Sequence, residues 1–194
     1  MNYVLASTHL VPAGVCQLGA IRNTPAKAEI QHGMSQAGQF PSDAFFEMDK
    51  NFPNGVKLAD ALDNTNSFLV VSERFKDLLQ AADALKKNEV YEISIVNHKK
   101  RREKAKYFLI HQVNFPLCAD PLQTVGEKDP LNPVAYGLLT KLVLDEGKID
   151  PGLSIFRAAE YPERAFFRRD LVAKIKEAGL TGIKFYELDG FRKF

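Results

Sequence analysis

The segment FLVVSERFKDLL, residues 68–79, contains the clearest structural signal in the 194-residue chain. Residues 68–71 form an apolar run typical of a buried β-strand, and Ser72 is a residue type that caps helix N-termini. From Phe75 onward, apolar side chains recur at i, i+3, i+4 and i+7, which places them on one face of a helix. The segment therefore predicts a strand that leads directly into a helix packed on a sheet.

Further elements follow toward the C-terminus. Residues 90–96 alternate as a strand, and residues 106–113 are predicted to be its antiparallel partner, so that the two form a central β-hairpin. Four prolines interrupt residues 115–136, which we interpret as a long surface loop of the kind that often carries function. Residues 140–144 and 153–157 are then predicted to form a second hairpin.

The C-terminal part repeats the order of strand and helix. Residues 165–167 are extended, a helix begins at Asp170, and Gly179 ends it by tolerating a left-handed backbone. Residues 182–186 form a last strand. We predict an α+β fold, with a mainly antiparallel or mixed sheet that contains the central β-hairpin and is shared by the two strand-helix units.

The N-terminal third is the least regular part. Prolines and glycines interrupt residues 1–66, where only an opening strand at residues 3–5 and a short helix at residues 58–62 are expected. We predict a single domain over residues 1–194, with an irregular part at 1–66 and a core at 67–187.

Composition and motifs give no support to an enzyme. The net charge of +2 is too near balance to mark the whole surface as a nucleic-acid or membrane binder. The sequence contains no P-loop, no G-x-G-x-x-G and no G-x-S-x-G, so no cofactor is expected. Cys16 and Cys118 lack a CxxC spacing and are expected to be buried free thiols. The histidines at positions 9, 32, 98 and 111 lack metal-ligand spacing, so no metal site is predicted.

The N-terminus and the hydropathy pattern bear on location. The start of the chain lacks the cationic region of a signal peptide. No stretch approaches the about 18 apolar residues of a membrane helix. The expected compartment is the cytoplasm, with no membrane partner.

Residues 98–104, HKKRREK, are the most strongly charged feature. At the tip of the predicted hairpin they can bind an acidic protein surface or phosphates, or can simply be a solvated hairpin end. No aromatic residue is interleaved to stack bases, which disfavours nucleic acid. The candidate partner-binding residues in this run are Lys99, Lys100, Arg101, Arg102 and Lys104.

A second basic cluster surrounds the C-terminal strand-helix joint. It consists of Arg157, Arg164, Arg168 and Arg169. Guanidinium groups can hold a carboxylate or phosphate, although internal ion pairs with Glu160, Glu163 and Asp170 explain the cluster equally well. From this cluster we take Arg157 as a candidate partner-binding residue. The aromatic candidates for partner anchors are Tyr136, Phe191 and Phe194.

Three ordered blocks, residues 68–79, 154–157 and 171–185, resemble a bacterial immunity-protein family, the eleventh of the numbered immunity series, first described as a domain of unknown function. The intervening hairpin is similar as well, so the resemblance covers roughly the C-terminal two thirds of the chain. It implies a non-catalytic cytoplasmic protein of a polymorphic toxin system, which binds and neutralises a cognate toxin encoded nearby.

Two other functions stay open from the residues alone. One is a nucleic-acid-binding module that uses the basic run, for which salt-sensitive binding to RNA or DNA would be the sign. The other is an enzyme with an unrecognised site, for which a pocket of perturbed carboxylates or histidines would be the sign.

Overall fold

The structure is a computed structural model that describes residues 2–9, 12–24 and 27–188. Its strands are β1 (Tyr3–Ser7), β2 (Gln17–Arg22), β3 (Phe45–Met48), β4 (Ala61–Asn64), β5 (Leu69–Ser72), β6 (Asn88–Val96), β7 (Tyr107–Gln112), β8 (Val125–Lys128), β9 (Tyr136–Lys141), β10 (Ile155–Ala158), β11 (Tyr161–Arg168) and β12 (Lys184–Tyr186). Its helices are α1 (Lys27–Gln31), α2 (Glu73–Ala81) and α3 (Arg169–Glu177), with a short 3₁₀ helix at Glu146–Lys148. The described chain is therefore mostly β, with less helix than the predicted α+β class suggested.

Six strands form a closed barrel in the order β2-β3-β6-β7-β5-β4. β2 closes the barrel by pairing parallel with β4, and β3 pairs parallel with β6, whereas the other neighbours are antiparallel. Because successive side chains of a strand point to opposite faces, each strand contributes one set of apolar residues to a shared cluster in the barrel. Its members include Leu18, Phe46, Leu62, Val70, Ile95 and Leu109.

A second, four-stranded antiparallel sheet has the order β10-β11-β1-β12. The alternation along β1 supplies two clusters, one on each face of the sheet. Val4 and Ala6 join a cluster that also contains Val71 of the barrel, while Tyr3 and Leu5 join a cluster on the opposite face. The first cluster therefore connects the sheet to the barrel.

Both predicted strand-helix units are present. Ser72 caps α2, since its Oγ accepts a hydrogen bond from the Phe75 N–H at 3.3 Å. Gly179 follows α3 with φ +62°, as predicted for the residue that ends this helix. The prediction that the two units share one sheet is wrong, because β5 belongs to the barrel and β11 to the four-stranded sheet. Helices α2 and α3 instead pack into the same cluster between the two sheets.

The opening strand predicted at residues 3–5 is present as β1, but the other predictions for the N-terminal third are wrong. Residues 1–66 contain strands β1 to β4 and helix α1, and β4 occupies part of the expected helix at 58–62. Ala61 and Leu62 are both buried, one in the cluster between the sheets and the other in the barrel. A strand buried on both faces has consecutive apolar residues, and here these resembled part of a helical repeat.

The predicted hairpin of residues 140–144 with 153–157 does not form. β9 pairs with β8, and β10 pairs with β11. The connecting residues cover the second face of the four-stranded sheet, where Leu142, Leu144 and Ile149 are buried. The proline-rich residues 115–136 are likewise not all loop, because they include β8.

Candidate functional site

The basic run lies between β6 and β7, which pair antiparallel up to Ile93 and Tyr107. We call Lys99, Lys100, Arg101, Arg102 and Lys104 the basic tip. All five residues are exposed. The fold of the barrel therefore projects this charge into solvent.

The backbone of the basic tip is held in place by Asn97. Its Oδ1 accepts hydrogen bonds from the N–H groups of Lys99 at 2.9 Å and Arg101 at 3.1 Å, and its own N–H donates to the Arg101 carbonyl at 2.9 Å. Its amide Nδ2 donates to Glu103 at 2.8 Å. Lys100 has φ +58°, a left-handed conformation that this bonding supports. The loop thus has a defined shape without a partner.

Most of the charge on the basic tip is not neutralised locally. Lys100 Nζ donates to Glu47 Oε1 at 2.7 Å, and this hydrogen bond holds the pKa of Glu47 below its usual value. Arg102 Nη1 donates to the Ser94 hydroxyl at 3.3 Å. Within the described chain, no carboxylate forms an ion pair with the other four cations of the tip. A local positive surface remains.

Tyr136 lies on β9 in the two-stranded sheet, which is separate from the barrel that carries the basic tip. It is half-buried, and Lys128 Nζ lies 3.7 Å from the centre of its ring. Residues 117–141, which we call the β8–β9 arm, expose several large apolar side chains that the sequence analysis missed. They are Leu117, Leu122, Val125, Leu131, Val134 and Leu138. The prolines indicated a surface segment, but no local pattern separates its exposed leucines from its buried ones.

Arg157 is buried rather than exposed, with 4% of its surface accessible. Its Nε donates to Gln112 Oε1 at 3.1 Å, its Nη1 to the Pro162 carbonyl at 3.0 Å, and its Nη2 to the Ser67 carbonyl. Burial lowers the pKa of this guanidinium to about 10. All four residues of β10 are buried, so Arg157 is not an exposed side chain like those of the basic tip, and its assignment as a partner-binding residue stays a prediction.

The remaining members of the arginine cluster have different partners. Arg168 pairs with Asp170 at 2.7 Å, as one of the two interpretations expected, and Arg169 Nη1 donates to Glu187 at 2.7 Å. Arg164 donates from Nη1 to a serine hydroxyl rather than to a described carboxylate. The sequence cluster is therefore divided between surface ion pairs and a more enclosed region.

Glu160 is not paired with an arginine either. This buried carboxylate accepts hydrogen bonds from the N–H groups of Cys118 at 3.2 Å and Ala119 at 3.0 Å. Its backbone carbonyl accepts from the Tyr136 N–H at 2.9 Å. Glu160 therefore fastens the β8–β9 arm to the turn between β10 and β11.

Cys16, Cys118 and His111 are buried, and burial shifts the pKa of each. Cys16 and Cys118 are buried free thiols, as predicted, and burial raises the pKa of both to about 12, so they stay protonated at neutral pH. His111 is buried with Nε2 2.9 Å from the Met34 carbonyl, and burial lowers its pKa. In the part of the chain that the structure describes, no group of three His, Cys, Asp or Glu side chains is placed to hold a metal ion.

Two further observations concern the predicted surfaces. No described helix has the length and hydropathy that a membrane crossing requires. Phe191 and Phe194 lie outside the described residues.

The described chain is thus a β-rich protein with a shaped, charged loop on a closed barrel and exposed apolar side chains on the separate two-stranded β8–β9 sheet. The sequence model of the Immunity protein family (Imm11) matches residues 20–189. The chain belongs to this family, which confirms the resemblance seen in the ordered sequence blocks. No curated protein matches the chain.

Proposed function

We propose that the protein is a non-catalytic immunity protein that binds a cognate toxin, encoded by a neighbouring gene, and neutralises it in the bacterial cytoplasm. The observation that carries this proposal is the family match over residues 20–189. Neutralisation by binding requires a rigid scaffold and a surface that covers the toxin's active surface. It requires no catalytic group, in keeping with the protonated, buried thiols of Cys16 and Cys118.

The basic tip is the part of this surface to which we assign the first encounter. Of its five cations, only Lys100 forms a described ion pair, and its partner is Glu47. A concentrated charge of this kind raises the rate of association with an oppositely charged partner by about 10-fold to 1000-fold. Because Asn97 already holds the loop, little conformational freedom is lost on binding. The toxin is therefore expected to present an acidic surface.

The β8–β9 arm supplies candidates for the contacts that slow dissociation. Leu122 and Leu131 are 94% and 95% exposed, and exposed apolar groups of this size are typical of interaction sites when they occur together. Tyr136 adds an aromatic side chain on the same arm. A typical partner buries about 800 Å² on each side, so these few side chains would form only the centre of an interface.

Co-expression with the neighbouring gene product tests the proposal. The neighbour alone should stop growth, and this protein should restore growth and co-purify with it. A tip variant with Lys99, Lys100, Arg101 and Arg102 changed to Gln should associate at least about tenfold more slowly at low salt. The matched control changes Lys86, Lys174, Lys176 and Lys184 to Gln, which removes the same charge from exposed positions outside the basic tip and the β8–β9 arm.

Each outcome decides between the functions. A harmless neighbour with no co-purification would reject the immunity function. Equal slowing by the tip and control variants would leave immunity standing but reject the role of the basic tip. Salt-sensitive RNA or DNA binding that only the tip variant loses would replace the proposal with a nucleic-acid-binding function.

A further inference from the structure

A small cleft lies where the four-stranded sheet meets the barrel. It is lined by Ser7 and His9 at and after the end of β1, by Ser67 before β5, by Arg164 on β11, and by Arg157 on β10. Its volume is about 30 Å³. By that measure a single water needs about 10–15 Å³, so the cleft has room for a carboxylate group but not for a nucleotide.

Arg157 places an unbalanced charge beside this cleft. Its three hydrogen-bond acceptors, the Gln112 side chain and the carbonyls of Ser67 and Pro162, are all neutral. Burial lowers the pKa of Arg157 to about 10, which still leaves the guanidinium protonated at neutral pH. A buried charge is costly unless an opposite charge accompanies it. One N–H on each terminal nitrogen remains for a further acceptor.

Arg164 adds a second cation to the same cleft. Its Nη1 donates to Ser7 Oγ at 2.6 Å, and it forms no ion pair with a carboxylate among residues 2–9, 12–24 and 27–188. Glu163 lines the cleft with an exposed carboxylate, and His9 faces Asp63 at 3.0 Å. The two positive charges of the arginines therefore exceed the single negative charge that lines the cleft.

We propose that this cleft binds one carboxylate, the side chain of an aspartate or glutamate of the toxin, between Arg157 and Arg164. The inference rests on the proposed function, since it takes the ligand group from a protein partner. Guanidinium forks match carboxylates in geometry, and such bonds are stronger than neutral ones. A desolvated charge pair of this kind acts mainly by slowing dissociation.

The first test uses the protein without its partner. Sodium acetate replaces sodium chloride at constant ionic strength while the Nε–H signals of Arg157 and Arg164 are followed by NMR. We expect saturation with a dissociation constant of roughly 10 mM, as befits so small a ligand. Arg164→Gln should weaken binding about tenfold, whereas Glu163→Gln should tighten it several-fold. Arg74→Gln, at an exposed position on α2 outside the cleft, should leave it unchanged.

If the NMR signals do not saturate with acetate, the carboxylate site is rejected. It is also rejected if all three variants bind acetate equally well. Glu163 and Arg164 are not fully buried, so these variants are expected to fold. Folding is checked by circular dichroism before each titration.

The second test measures dissociation of the toxin complex. Arg164→Gln should speed dissociation and Glu163→Gln should slow it, relative to Arg74→Gln. If acetate binds but neither variant changes dissociation, the cleft serves a free carboxylate and the partner's side chain is rejected. If no toxin complex forms even with the unchanged protein, the proposed function fails, and the acetate titration still decides whether the cleft binds carboxylates.

Discussion

Replacement of Glu160 by Ala should be among the most destabilising single changes outside the apolar clusters. The substitution removes the acceptor for the N–H groups of Cys118 and Ala119, both of which are buried. A hydrogen bond to a charged group contributes about 1.5–3 kcal/mol, and two such bonds are lost. The substitution also removes the cost of burying a carboxylate, which offsets part of this loss. We expect the free energy of unfolding to fall by about 3 kcal/mol.

A graded series makes this reasoning specific. Glu160→Gln keeps one amide oxygen as acceptor and should lose roughly half as much, about 1.5 kcal/mol. Glu92→Ala is the matched control, because this glutamate is exposed and its substitution should change the free energy of unfolding by less than about 0.5 kcal/mol.

Urea unfolding followed by far-ultraviolet circular dichroism measures all three variants, since the chain has no Trp. Hydrogen exchange adds a local measurement, and the amides of Cys118 and Ala119 should exchange faster in Glu160→Ala. If Glu160→Ala and Glu92→Ala lower the free energy of unfolding by amounts that differ by less than about 1 kcal/mol, Glu160 does not fasten the β8–β9 arm as we describe.

Three further changes test other parts of the fold. Ser72→Ala removes the hydroxyl that accepts the Phe75 N–H and should cost about 1 kcal/mol in urea unfolding; no loss would show that the cap is dispensable. Gly182→Ala should cost about 3 kcal/mol or more in thermal unfolding, because φ is +84° and a Cβ would clash with the Ala61 carbonyl. Burial lowers the pKa of His111 from 6.5, so the unfolded chain takes up this proton first and stability should decrease as pH falls below 6.5. An NMR titration midpoint of His111 at or above 6.5 would contradict this.

The two strand-helix units were predictable because their information is local. Phe68–Val71, the Ser72 cap and the spacing from Phe75 all lie within a dozen residues, and Gly179 marks the end of α3 in the same way. A cap hydrogen bond and an apolar helix face need no knowledge of distant residues. The structure accordingly places these elements where the sequence predicted them.

The barrel could not be predicted in this way. β2 pairs parallel with β4, and β3 pairs parallel with β6, which lies some fifty residues later in the chain. Each of β2, β3 and β4 has only four to six residues, too few for a clear periodic pattern. Their stability comes from partners that are distant in sequence.

The candidate site likewise has features that local sequence predicted and features that depend on distant residues. The exposure of the basic tip followed from its position between two strands and its high charge. The burial of Arg157 did not, because it depends on Ser67 and Gln112, which approach β10 from the barrel. The role of Asn97 had a recognisable signal, since asparagine side chains often bond to the backbone two residues on.

The hydrogen bonds of Asn97 fix the backbone of this loop independently of the charged side chains of Lys99 and Arg101. The side chains of Lys99 and Arg101 take no part in the hydrogen bonds that shape this loop, in which Asn97 bonds to backbone groups and to the side chain of Glu103. Substitutions at these two positions can therefore alter charge and size at little cost to folding. Such a loop is a place where recognition can diverge among related chains while the barrel beneath it stays unchanged.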